Sequence, residues 1–164
     1  METIKGDLCL APQKYIAQQC NCLTVRGHGL SKTISQFYLW ADPYSSRKPM
    51  GSRNCAIPQD RDVPGTIRVL TDGHDKAVIC MFAQWAPGKS LAYPSYPEYA
   101  KDTKDAREEW FRQCLEAMKL LDTDEIAFPY GIGCGLAGGN WKRYEEMIEE
   151  FALTSGKKII IYRL

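Results

Sequence analysis

The sequence lacks an apolar run long enough to span a bilayer. Its opening residues, METIKGDLCL, also lack the basic start and apolar stretch of a secretory leader. Both absences lead us to expect a cytoplasmic protein with no membrane partner. Charge of one sign is missing too. There are 21 basic and 20 acidic residues, for a formal net charge of +1. No overall field therefore draws nucleic acid or anionic membrane to the whole surface, although a local patch remains compatible with that balance. Histidine is scarce, with only His28 and His74. Repeats, low-complexity tracts and interdomain linkers are absent.

Cysteine is plentiful but in the wrong arrangement for a disulfide framework. The seven are Cys9, Cys20, Cys22, Cys55, Cys80, Cys114 and Cys134. Their number is odd, and most sit inside apolar runs, which suits small buried hydrophobes in a reducing compartment. Cys20 and Cys22 form C-x-C, yet no second close pair completes a zinc site. We expect no metal and no cofactor.

The composition is that of a globular domain, 45% apolar and 25% charged over 164 residues. Residues 1–164 read as one domain with its own core. Strands are expected at 2–6, 15–22, 66–70, 77–83 and 125–129, and in the closing KIIIYRL. DGHD, which contains His74, reads as a hairpin turn and surface. GLSKTISQFYLWA (29–41) places Leu30, Ile34, Phe37 and Ala41 at helical spacing. A stronger helix runs from Thr103 to Leu121, capped by Asp102 or Thr103. Its stripe is Trp110, Phe111, Cys114, Met118 and Leu121. Asn140 is placed to cap a last helix with Trp141, Tyr144, Ile148 and Phe151 inward, and Gly156 ends it. Residues 42–65 and 84–102 read as long loops. Strands first, then alternating helices and strands, give an α/β fold with a mixed sheet and helices on both faces. Ligands in such folds lie beyond the carboxyl ends of strands. Three loops leave that edge, over residues 6–8, 21–29 and 131–140.

GIGCGLAGGNW, residues 131–141, carries five glycines in eleven positions. Gly133, Gly135 and Gly138 spell G-x-G-x-x-G, but the context is not that of a dinucleotide fold. The match lies near the end of the sequence, and no acidic residue closes the strand that follows. What survives is physical. A strand, a glycine turn and a helix start present backbone N–H groups to an anion. CNCLTVRGHGLSKTI has the same order, so two such loops can clamp a diphosphate.

With these two loops the chain resembles the macro domain family, which binds ADP-ribose. The resemblance spans most of the chain. It includes Gly6–Asp7 after the first strand, Asn21 in QQCNC, RGHGLS before a helix, GIGCGL after a buried strand, and Trp141 opening the last helix. It implies a single macro-domain-like three-layer α/β/α sandwich with a mixed central sheet, a monomer. The ligand would be ADP-ribose or ADP-ribose-1″-phosphate, free or carried on an ADP-ribosylated macromolecule. By the same resemblance Asp7, beside Leu8, accepts the adenine amino group, and Asn21 holds a ribose. Gly27, Gly29 and Leu30 shape the first loop. Ile132, Gly133, Cys134, Gly135 and Leu136 turn main-chain donors to the diphosphate. Tyr162 and Leu164 wall the adenine.

The resemblance divides over catalysis. The glycohydrolase branch carries an aspartate directly after GCGL, where this chain has Ala137. That branch also uses a lysine just inside the first helix, near Ser35–Gln36 here, while Lys32 lies one turn earlier. His28 sits between two loop glycines and is the candidate catalytic residue, since histidine transfers protons near neutral pH. Three functions follow: a phosphatase acting on ADP-ribose-1″-phosphate, an ADP-ribosyl hydrolase, and a non-catalytic reader of ADP-ribose.

Overall fold

The computed structural model describes all 164 residues, Met1–Leu164. Six strands form one sheet in the order β1-β6-β5-β2-β4-β3. They are β1 (Glu2–Lys5), β2 (Tyr15–Asn21), β3 (Ile67–Thr71), β4 (Ala77–Gln84), β5 (Glu125–Pro129) and β6 (Lys158–Arg163). β3 alone is antiparallel, paired with β4 through the DGHD hairpin. The other neighbours are parallel. Their carboxyl ends therefore share one edge.

The strands alternate as two-sided burial demands. All eight residues of β4 are buried. Val78, Cys80 and Phe82 face one core, and Ile79, Met81 and Ala83 the other. Two helices of equal length, α2 (Lys104–Met118) and α3 (Trp141–Ser155), cover the second core. Phe111, Cys114, Met118, Tyr144, Ile148 and Phe151 supply its helical side. The first core is covered by the short α1 (Leu30–Phe37) together with residues of the long loop, such as Tyr44 and Cys55. The result is the expected three-layer sandwich with a mixed sheet.

Two local expectations change, and one open choice is decided. Helix α1 stops at Phe37, because Tyr38 is already extended at φ −118° and ψ 98°. Its inward positions are Ser31 and Ile34. Leu30 and Phe37 are exposed, and Ala41 is buried beyond the helix. A polar residue can face inward here because the Ser31 hydroxyl donates to Gln18 Oε1 at 2.7 Å. Asn140 occupies the cap position of α3 but makes no capping bond from its side chain. Thr103, not Asp102, caps α2, accepting from Ala106 N–H at 3.0 Å.

Asp102 has another task. Its carboxylate forms a two-pronged pair with Arg107 at 2.7 Å on each arm. Both side chains are nearly inaccessible, at 1% and 3% exposure. Two buried charges are tolerable only when fully bonded. Asp102→Ala should therefore cost about 3–5 kcal/mol by leaving the guanidinium unpaired. Lys119→Ala, which breaks an exposed pair with Glu116, should cost no more than about 1 kcal/mol. Urea unfolding of both variants checks this, and similar midpoints would show that the buried pair is dispensable.

Candidate functional site

A cleft of 340 Å³ opens at the carboxyl edge of the sheet. Four chain segments build it; of the three loops expected at this edge, those over residues 21–29 and 131–140 take part and that over residues 6–8 does not. From the β2–α1 loop come Asn21, His28, Gly29, Leu30 and Ser31. The β5–α3 loop contributes the run from Tyr130 to Gly133, then Gly135, Leu136 and Ala137. The loop after β4 adds Pro87 and Gly88, and Tyr44 of the 42–65 loop backs the first glycine loop. Gln19 and Gln84, from the ends of β2 and β4, form part of the lining.

The two glycine loops meet across the cleft. A Cβ on Gly29 would lie 3.1 Å from Leu136 Cδ1. Gly29 has φ 57° and ψ −131°, a conformation open to glycine almost alone. It lets the chain enter α1 with the N–H groups of His28, Gly29, Leu30 and Ser31 free of any partner in the protein. In the second loop, Gly131, Gly133, Gly135, Leu136 and Ala137 also have unbonded N–H groups. Ile132 N–H is taken by Pro129 O and Cys134 N–H by Gly131 O. Those two residues therefore shape the loop rather than donate from it. Backbone donors around a glycine turn form an anion-binding concavity.

Several candidates lie outside the cleft lining. Asp7 is exposed and caps a short 3-10 turn (Leu8–Leu10), accepting from Cys9 N–H at 2.9 Å. Leu8 is in the core at 5% exposure. Gly27 packs on the Tyr44 ring. Cys134 turns its thiol to Ile132 O. Tyr162 packs against Gly6, and its hydroxyl donates to Gln13 Oε1. Leu164 is exposed. Lys32 and Ser35 are on α1 but do not line the cleft. His74 is exposed in the hairpin.

Asn21 is buried and lines the cleft, but much of its amide is engaged locally. Its Oδ1 accepts from Leu23 and Thr24 N–H, and its Nδ2 donates to Thr24 Oγ1. It holds the turn out of β2. His28 is exposed at the lip, with Asn54 Nδ2 3.5 Å from its Nε2. Asn54 also accepts from Val25 N–H. Tyr96, from the loop after β4, donates to Asn54 O.

Sequence reasoning missed two buried arginines. Arg47 donates to the carbonyls of Thr24 and Asn21 and pairs with Asp62 at 2.6 Å. Arg107 donates to Ala86, Gly88 and Ala137 carbonyls while holding Asp102. Each arginine fixes one glycine loop. Both lie in stretches that read as solvated charge, and no local pattern separates them from the surface arginines.

No protein-family model matches the sequence, and no curated protein matches it. Solved structures do. A protein of unknown function from Bacteroides thetaiotaomicron is 26% identical, with a TM-score of 0.65 over 99% of this chain and 97% of the other. The macrodomain of Mycobacterium tuberculosis DarG has a TM-score of 0.64 at 18% identity, covering 99% of this chain and 97% of its own. A Trypanosoma brucei macrodomain in complex with ADP-ribose has a TM-score of 0.62 at 13% identity, over 98% of this chain and 62% of that one. The chain has the macrodomain fold.

The glycines are not equivalent. Gly133 has φ +76°, and a Cβ there would meet Tyr144 Cε2 at 2.7 Å and Gln19 Oε1 at 2.8 Å. Gly135 has ordinary φ and open space around its Cβ position. Gly133→Ala should cost about 2–4 kcal/mol from backbone strain and overpacking. Gly135→Ala should change stability by no more than about 0.5 kcal/mol. Equal unfolding midpoints for the two variants would refute this division. A chemical expectation accompanies it. Burial, then the charge of Glu108, pushes the Cys134 thiol up to about 11. Although Cys134 is the one cysteine not fully buried, it should react with iodoacetamide far more slowly at pH 7.5 than a free thiol, and faster as pH rises. Rapid labelling at neutral pH would contradict the assignment.

Proposed function

We propose that the cleft binds ADP-ribose. The carrying observation is the set of unbonded N–H groups on two facing glycine loops, closed by the Gly29–Leu136 contact. A diphosphate supplies the acceptors those donors lack, and the α1 N-terminus adds partial positive charge. Neighbours in the same fold, from Trypanosoma brucei and Thermosipho africanus, are described in complex with ADP-ribose. Asp7 remains the proposed adenine acceptor, through the carboxylate oxygen not engaged by Cys9.

The activity we propose is removal of phosphate from ADP-ribose-1″-phosphate. His28 is the titratable side chain on the cleft lining, apart from the phenols of Tyr44 and Tyr130. Water attacks phosphorus, the bond from phosphorus to the 1″ oxygen breaks, and His28 delivers the proton that the departing oxygen needs. Backbone donors hold the charge that builds on the phosphate. Ala137 favours this reading over glycoside cleavage, because a methyl group offers neither a base nor a charge to an oxocarbenium ion. Hydrolysis of ADP-ribosyl groups from protein or nucleic acid is the second reading, and a non-catalytic reader the third.

Calorimetry should give micromolar binding of ADP-ribose and much weaker binding of AMP, since AMP reaches only part of the two loops. Gly135→Val should abolish binding in a folded protein by filling the cleft. Absence of heat with millimolar ADP-ribose would sink the proposal. His28→Ala should lower phosphatase turnover about 10²–10⁴-fold, with ADP-ribose affinity kept. Unchanged turnover would remove His28 from the chemistry. Binding without turnover of the phosphate ester or of ADP-ribosylated protein or DNA would leave the reader.

A further inference from the structure

Behind the second glycine loop lies another cavity, of 210 Å³. Its walls are the first turns of α2 and α3 and the end of the loop between β5 and α3. Ala137 lines this cavity and the main cleft, so the two spaces share a wall.

Tyr144 is part of the lining and is 2% exposed. Its ring is fixed by Phe111 at 4.8 Å and by the close backbone of Gly133 and Gly139. Its hydroxyl makes no hydrogen bond within the protein and is not sealed off from solvent, so this otherwise buried side chain opens to the cavity. A hydroxyl with no protein partner on a cavity wall is free to donate to an acceptor that enters there. Unbonded donors lie around it. Asn140 leaves α3 without a side-chain cap, and the N–H groups of Trp141 and Lys142 find no acceptor. Lys104, in the first turn of α2, makes no ion pair.

The charges nearly cancel. Arg143 pairs with Glu108 at 2.7 Å, and Arg107 with Asp102. Asp105 offsets Lys104. What remains is the positive end of two helices, each equivalent to roughly half a charge, with the phenolic O–H between them. Such a field favours a small anion, held weakly.

We propose that this cavity is a second oxyanion site, which takes inorganic phosphate or the terminal phosphate of a monoester. The site stands whether or not the main cleft takes ADP-ribose. Under the phosphatase reading, which it extends, it offers the released phosphate a place across the Ala137 wall.

The test is a titration of the ¹⁵N-labelled full chain with inorganic phosphate, at ionic strength held constant with chloride. The amides of Trp141 and Lys142 should shift and saturate at millimolar phosphate, and should do so equally with saturating ADP-ribose present. Ribose-5-phosphate is the second probe. Shifts with both probes assign a site open to monoesters, and shifts with phosphate alone assign one for the free ion. Tyr144→Phe keeps the ring and should weaken binding about fivefold or more, the effect of losing one charge-assisted hydrogen bond. Lys104→Ala, at an exposed position, should weaken it as well, and decides the matter if Tyr144→Phe does not fold. Three results overturn the site: no saturable shift, shifts confined to residues 131–137 and erased by ADP-ribose, or unchanged affinity in the folded variants. If ADP-ribose itself shifts nothing, the proposed function fails while the phosphate titration still decides this cavity.

Discussion

The buried Arg107–Asp102 pair is the constraint on which the shape of the cleft depends. The guanidinium reaches three parts of the chain at once. It holds Asp102 at the start of α2, the carbonyls of Ala86 and Gly88 after β4, and the carbonyl of Ala137 in the glycine loop. Asp102 in turn accepts from Trp85 and Ala86 N–H. Every arm of the pair is bonded, which is the condition under which buried ions are retained. Without it, the loop over residues 84–102 has no charged anchor to the second core.

Arg47 plays a related part on the other side, with its Nε left without a partner in the protein. It fixes the carbonyls of Asn21 and Thr24 and lies over the Tyr44 and Phe82 rings. The two arginines thus take up carbonyl groups of the glycine loops from behind. N–H groups of the same loops are left without an acceptor in the protein. This division of polarity explains how two glycine-rich segments stay in one conformation without side chains of their own to pack. A loop ordered in advance loses less entropy when a ligand arrives.

The layers, the sheet and the two long helices were legible because their signals are periodic. β4 reads as a continuous apolar run, and α3 shows Tyr144, Ile148 and Phe151 at helical spacing. Helix α1 was misjudged for a physical reason. Its inward face includes Ser31, whose hydroxyl is satisfied by Gln18 on a neighbouring strand. Hydropathy cannot anticipate a partner 13 residues away. The same limit hid Arg47, Arg107 and Asp102. A charged residue is buried by its tertiary partners, and those are not adjacent in sequence. The glycine loops were readable as loops, but the selection of donors was not. Which N–H groups point outward depends on the turns Ile132 to Pro129 and Cys134 to Gly131.

A site made from main-chain donors has a consequence for how it is recognised. Its requirements are a positive φ at Gly29 and Gly133, open space at Gly135, and carbonyls held from the rear. Few side chains are specified by these needs, so sequence can drift widely while the geometry persists. Likeness then shows in the fold before it shows in residue identity. The reverse holds for chemistry. Proton transfer requires a titratable group at one place, and backbone cannot supply it. Within this cleft the fold therefore sets the space offered to a ligand, and under the proposed function it is His28 and Ala137 that would distinguish among the reactions that space can host.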